Sequence, residues 1–256
     1  MAGFMGANVA QLKAELETER GPYLGHAHGR ARFGNTLAAL LDAAPPPADL
    51  LDIGGDVSDF ESRPPEKRQP YSFGKYFRRA GYNYASVNVN DLDARREGLP
   101  FADNSFEVVT AWEIIEHLWL MDGGGCLNWD GPLFFWREAH RVLKPGGLFF
   151  CATRNRWCPL AWAQMRGGKN GCCFAAAIEG DQFMPGHARE WTTAELAALA
   201  DHTGTYEKRE VRSVPSVTPR MAKNLAALVP RLESLIGRKF LPEERHDTIF
   251  FMGRKR

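Results

Sequence analysis

The stretch that most constrains this chain is Ala48-Asp49-Leu50-Leu51-Asp52-Ile53-Gly54-Gly55, which follows directly on Pro45-Pro46-Pro47. Consecutive prolines end any helix before them. The short apolar run suits a strand buried on both faces, and the glycine pair lets the chain turn with no Cβ in the way. Such a strand needs neighbours and cover, and the chain offers both. Tyr82 to Val89 is rich in aromatic and β-branched residues, while Phe106 to Ala111 and Gly147 to Ala152 are mostly apolar. Helical stretches run from about Arg30 to Leu41 and from Pro132 to Leu143, the second opened by proline and closed by Pro145-Gly146-Gly147. Another runs from about Asn8 to Arg20 and ends at Gly21-Pro22. Apolar strands separated by helices predict a doubly wound α/β sheet, mostly parallel.

Toward the C-terminus, Thr192 with Glu195 forms a capping box for a helix over Thr193 to His202, stopped by Gly204. Thr205 to Val211 and Asp247 to Met252 read as two further strands. Between them Met221, Leu225, Leu228, Leu232 and Leu235 form a helical stripe interrupted by Pro230. Strands joined by that excursion at a sheet edge are expected to be antiparallel.

Composition narrows the function classes. With 256 residues, 44% hydrophobic and 25% charged, the chain is globular. Its net charge of +1 argues against a nucleic-acid partner. No apolar run approaches the roughly 20 residues of a spanning helix, and Met1 to Glu19 lacks the apolar core of a signal peptide. A cytoplasmic protein without membrane association is expected, although Arg220, Lys223, Arg231 and Arg238 along the stripe are the residues a membrane surface would attract. Cys126, Cys151, Cys158, Cys172 and Cys173 contain no C-x-x-C pair, so they are expected to be reduced and mostly buried, and no metal site is predicted.

A glycine turn after the first strand lets backbone N–H groups approach a ligand, with a helix N-terminus behind them. Asp52-Ile53-Gly54-Gly55 resembles the first motif of the class I S-adenosylmethionine (SAM)-dependent methyltransferases. Three further blocks resemble that family in order: Gly98-Leu99-Pro100-Phe101-Ala102-Asp103-Asn104-Ser105-Phe106-Glu107-Val108-Val109, then Glu113-Ile114-Ile115-Glu116-His117-Leu118, then Arg137 to Gly147. The resemblance spans about Asp49 to Asn155 and is weaker over His187 to Gly204 and Arg245 to Lys255. It implies a Rossmann-like, seven-stranded sheet with an antiparallel last strand, and SAM at the carboxyl ends of the first strands. One methyltransferase domain over 1–256 is expected. Within it lie an N-terminal helical cap (1–44), a SAM-binding core (45–155) and substrate-side insertions (156–190 and 212–243).

Aligned on Asp52 and Gly54, the family's second and third glycines fall on Asp56 and Ser58. Aspartate tolerates the left-handed conformation better than most residues. The family's ribose-binding acid falls at Asn88, which carries no charge, and Asp91 could substitute. Glu61 to Pro70, proline-rich and charged, reads as an insertion. By the same resemblance Asp91 or Asp93 lies near the adenine amino group, and Trp112 and Glu113 lie beside the methionine end. Asp52 is placed to hold the turn or to meet the methionyl ammonium group.

Transfer to a hydroxyl calls for a base. His117 is the leading candidate, titrating near neutrality just beyond a strand end. His140 falls inside a helix and reads as structural. His26 and His28 sit in the N-terminal cap, and His187 comes from the other side. The glycine-rich Met121 to Gly131 with Trp129 suits a lid. Arg154 to Phe183, with Trp157, Trp162 and Phe174, would help shape an acceptor pocket. The expected activity is transfer of a methyl group from SAM to an oxygen or nitrogen of a small-molecule or glycan acceptor. The alternative is a non-catalytic methyltransferase-like subunit with weakened SAM binding. A nicotinamide dehydrogenase would want an intact glycine fingerprint, and a nucleic-acid methyltransferase an Asn/Asp-Pro-Pro-aromatic motif that this chain lacks.

Overall fold

A computed structural model describes residues 10–12, 14–18, 27–55, 73–87, 92–121, 127–159, 161–162, 177–179, 182–184, 190–204, 206–214, 219–241 and 243–256. The main helices are α1 (Ala27–Ala43), α2 (Gly74–Ala80), α3 (Asp130–Val142), α4 (Thr193–Thr203) and α5 (Pro219–Ile236). The strands of the main sheet are β1 (Asp49–Ile53), β2 (Asn83–Val87), β3 (Phe106–Trp112), β4 (Leu143–Arg154), β5 (Tyr206–Val214) and β6 (Thr248–Lys255). Their order across the sheet is β2-β1-β3-β4-β6-β5. The strands β2, β1, β3 and β4 pair in parallel, and β6 runs antiparallel to both β4 and β5. The antiparallel last strand is as expected. Six strands, not seven, make up this sheet among the described residues.

Alternation along the strands divides the core into two layers. On one face Leu51, Ile53, Val109, Phe149, Cys151 and Phe251 meet Trp136, Ala139 and Val142 of α3 and Leu196, Leu199 and Ala200 of α4. On the other, Leu50, Val108, Trp112, Phe150 and Phe250 meet Phe33, Leu37 and Leu40 of α1 and Tyr76 and Phe77 of α2. Burial on both faces explains why these strands read as apolar runs.

Local signals hold where they are strong. Thr192 accepts a hydrogen bond from the Glu195 N–H at 3.1 Å, and the Glu195 carboxylate accepts from the Thr192 N–H at 2.9 Å, closing the capping box. Helix α3 begins earlier than its proline suggests, at Asp130. Strand β4 begins at Leu143, so Pro145-Gly146 lies within it instead of between helix and strand. The helix α5 runs through Pro230, yet its stripe is only partly covered: Leu232 is buried and Leu235 is 58% exposed. Among the described residues no helix is long and apolar enough to cross a membrane. Of the cysteines, Cys151 and Cys158 are free thiols and buried, as expected; Cys126, Cys172 and Cys173 lie outside the described residues.

Candidate active site

The carboxyl ends of β1, β2, β3 and β4 face one edge, where open α/β sheets bind ligands. At that edge β1 ends in Asp52-Ile53-Gly54-Gly55. Gly54 takes φ +85°, and its N–H donates to the Val87 carbonyl at 2.6 Å, fixing the turn to the end of β2. A Cβ on Gly54 would lie 2.1 Å from Ile114 Cδ1, so the segment after β3 sits directly on the glycine turn.

Asp52 holds this turn from beneath. It is fully buried and faces its register partner Thr110, whose hydroxyl donates to Oδ1 at 2.9 Å; the Tyr84 hydroxyl donates to Oδ2 at 3.2 Å. A Cβ on Gly55 would lie 2.1 Å from Asp52 Oδ2, so the second glycine leaves room for that carboxylate. Of the two roles open to Asp52, the structure supports the first, holding the turn.

Beyond β3, Glu113 takes φ +57°, and its N–H donates to the Ala152 carbonyl at 2.9 Å. A left-handed glutamate is strained and survives only where its surroundings fix it. Here the fixing group is Arg32 of α1. Its guanidinium is buried, pairs with Glu113 through a very short contact and reaches Asp247 at 3.4 Å. The helical turn Ile115–His117 follows, with the His117 N–H donating to the Ile114 carbonyl at 2.9 Å. Glu116 within it is fully buried and accepts from the Thr153 hydroxyl of β4 at 2.8 Å. Burial, reinforced by the nearby Glu113 charge, pushes its pKa up to about 8. Glu190, paired with Arg154 at 3.2 Å, is likewise raised by burial. Next to it, Trp191 bridges Asn155 at the end of β4.

The other sequence-predicted residues fall as follows. Trp112 does not reach the site as expected. It packs in the core against Phe150 (5.0 Å between ring centroids), Phe33 (5.2 Å), Phe77 (6.0 Å) and Phe73 (6.3 Å), because strand alternation turns it onto the α1–α2 face. Asp93 is half-buried and paired with Arg95 at 2.7 and 2.8 Å. His117 is half-buried. His140 is in α3, its ring edge-on to Tyr206. Asp56, Ser58, Asn88, Asp91, His26 and His187 lie outside the described residues, as does the centre of the glycine-rich loop. Its ends pair, Leu120–Met121 with Leu127–Asn128. Sequence patterning does not single out Arg32, Glu116, Glu190 or Asp247.

The titration of Glu116 gives a measurable consequence. Glu116 binds its proton more tightly folded than unfolded. Its contribution to stability is therefore complete below its ordinary pKa of 4.5 and is lost as pH rises through about 8. Glutamine is neutral throughout. Thermal melts should show Glu116→Gln above the parent protein at pH 9, with the gap closing toward pH 4.5. Parallel pH profiles would show that folding does not raise the Glu116 pKa.

This arrangement, a doubly wound sheet with a glycine turn and carboxylates at the carboxyl ends of its parallel strands, is Rossmann-like. Residues 74–151 match the methyltransferase domain family. The chain is 31% identical over 134 residues to a "probable S-adenosylmethionine-dependent methyltransferase" of Mycolicibacterium smegmatis, covering 48% of this chain and 42% of that protein. It is 33% identical over 128 residues to a ubiquinone biosynthesis O-methyltransferase of Methylobacterium nodulans, covering 47% and 42%. The chain thus spans less than half the length of these relatives. A solved SAM-dependent methyltransferase from Archaeoglobus fulgidus has the same fold, with a TM-score of 0.50 at 12% identity over 85% of this chain and 92% of the other.

Proposed function

We propose that this chain transfers the methyl group of SAM to an oxygen or nitrogen of a small-molecule acceptor. The observation that carries this reading is a pair of unmet polar atoms beside the glycine turn. Glu113 Oε1 and Glu116 Oε1 are buried and have no hydrogen-bond partner among the described residues. Buried polar atoms are nearly always satisfied, and two unmet carboxyl oxygens at this edge call for a polar ligand. SAM is such a ligand, since its ammonium group donates hydrogen bonds that these oxygens can accept.

The Gly54-Gly55 turn at the carboxyl end of β1 would border the nucleoside, and Glu113 would meet the methionyl end. Asp52 keeps the turn in place beneath them. When bound, SAM supplies an electrophilic methyl group. The chain's own residues orient the two reactants, exclude water and, for a hydroxyl acceptor, remove its proton. His117 sits on a helical turn within this edge and would hold that proton. The ubiquinone-pathway relative is named for O-methylation, which agrees with a small acceptor.

Calorimetry tests the reading: SAM and its demethylated product should bind with micromolar to millimolar affinity, and Glu113→Ala should weaken SAM at least about tenfold. No heat at millimolar SAM would overturn it in favour of a non-catalytic methyltransferase-like subunit.

A further inference from the structure

Positive charge is unevenly spread along this chain. It holds 32 basic and 31 acidic residues, yet residues 219–245, which are α5 and the loop after it, hold six basic and three acidic ones. The remainder is left with 26 basic against 28 acidic residues. A chain that is nearly neutral as a whole thus carries its surplus of cations on one segment. Both ends of that excursion leave the sheet at the edge that holds the glycine turn. Val214 at the end of β5 pairs with Thr248 at the start of β6, and Thr248 pairs with Arg154 at the end of β4.

Apolar side chains emerge on the same segment. Three large ones are exposed among the described residues, and two of them lie here, Leu235 at 58% and Leu241 at 52%. A lone exposed leucine means little, but these two sit in a fixed frame. Gly237 ends α5 with φ +69°, and the loop folds back on the last turn of the helix. There the buried Glu233 carboxylate accepts from the Phe240 N–H and from Lys239, each at 3.0 Å. Arg238 pairs with Glu244 at 2.9 Å and lies over the rings of Trp157 (5.3 Å) and Phe240 (5.7 Å), tying the loop to the segment after β4. Exposed cations border the leucines: Arg231, Lys239 and Arg245. Lys239 and Arg245 share one carboxylate, Glu233, so the patch stays positive.

We propose that this face docks on an anionic lipid surface, with Leu235 and Leu241 entering the headgroup layer and Arg231, Lys239 and Arg245 meeting its charge. Exposed leucines flanked by cations at the end of an amphipathic helix are the chemistry of a segment that lies on a membrane. Each cation near an anionic leaflet adds to the attraction. A second copy of this chain fits less well, because a two-fold interface would set the same cations against one another. Nucleic acid would meet the charge but leave the leucines in water. The contact is peripheral, since no described helix is long and apolar enough to cross a membrane. Docking there turns the carboxyl-end edge of the sheet toward the lipid. The proposal is independent of what the crevice binds.

Flotation of the full chain with lipid vesicles tests this. Vesicles of phosphatidylcholine and phosphatidylglycerol in equal parts should carry the protein upward, and vesicles of phosphatidylcholine alone should not. Salt at about 1 M, which shortens the Debye length to about 3 Å, should release it. The double variant Leu235→Ser, Leu241→Ser should weaken vesicle binding at least about tenfold, and Arg231→Glu at least about fivefold. Far-UV circular dichroism should show both variants folded, since all three positions are exposed. Absence of flotation, equal flotation with neutral vesicles, or unchanged binding in both folded variants would overturn the proposal. So would a dimer in sedimentation that the leucine variant dissociates, without vesicle binding; the face would then belong to a second copy.

Discussion

Gly54→Ala should abolish measurable SAM binding and lower folding stability by roughly 1–3 kcal/mol. Two effects add. The position takes φ +85°, where a side chain costs roughly 1–2 kcal/mol. The new methyl would also lie 2.1 Å from Ile114 Cδ1 and 2.4 Å from Cγ1, so Ile114 must swing away. Because Ile114 follows Glu113 and precedes the Glu116 turn, its displacement disturbs the side of the crevice that carries the unmet carboxyl oxygens. The double variant Gly54→Ala, Ile114→Ala separates the two effects. It restores space but not backbone freedom, so it should recover part of the stability and little of the binding. Full recovery of binding would show that the turn's conformation does not matter. Calorimetry and thermal melts give both quantities.

Gly131→Ala should be more damaging still, at roughly 3 kcal/mol or more, and helix propensity alone predicts the opposite sign. Gly131 lies in the first turn of α3, where alanine would ordinarily gain up to about 1 kcal/mol over glycine. Here the added Cβ meets a backbone oxygen, Leu118 O, at 1.9 Å and Leu118 C at 3.1 Å. Backbone cannot rotate out of the way as an isoleucine can, so either α3 or the segment after His117 must move. Overpacking of that kind costs more than a propensity gain returns. Moving α3 also separates Trp129 from Trp119 and Trp191, so a red shift of tryptophan emission should accompany the loss of stability on melting. A melting temperature at or above that of the parent would mean that the close contact between α3 and Leu118 is absent.

Much of this was legible in the residues themselves, and the reasons differ by element. The strands β1, β3 and β4 announce themselves because burial on both faces leaves nothing but apolar side chains. The helix α4 is marked by a capping box, which is a purely local device. By contrast, Pro145-Gly146 reads as a break between helix and strand although β4 already includes it; only pairing of Leu143 with Phe106 reveals that. The site divides the same way. The glycine turn and Glu113 are signalled locally. Trp112 is adjacent to Glu113 in sequence yet belongs to the core, since consecutive strand residues point to opposite faces. Arg32 and Asp247 are 215 positions apart and meet only through the fold. Their link to Glu113 depends on the order of strands across the sheet, which no local pattern encodes. The partners of Asp52, Tyr84 on β2 and Thr110 on β3, are hidden for the same reason.

The central claim is that the crevice between the Gly54-Gly55 turn and Glu113 receives SAM. A crystal structure with S-adenosylhomocysteine bound tests it most directly. The account predicts the nucleoside against Gly54 and Gly55 with the amino-acid end at Glu113; a nucleoside bound elsewhere on the chain, or an empty crevice in crystals grown at saturating ligand, would contradict it.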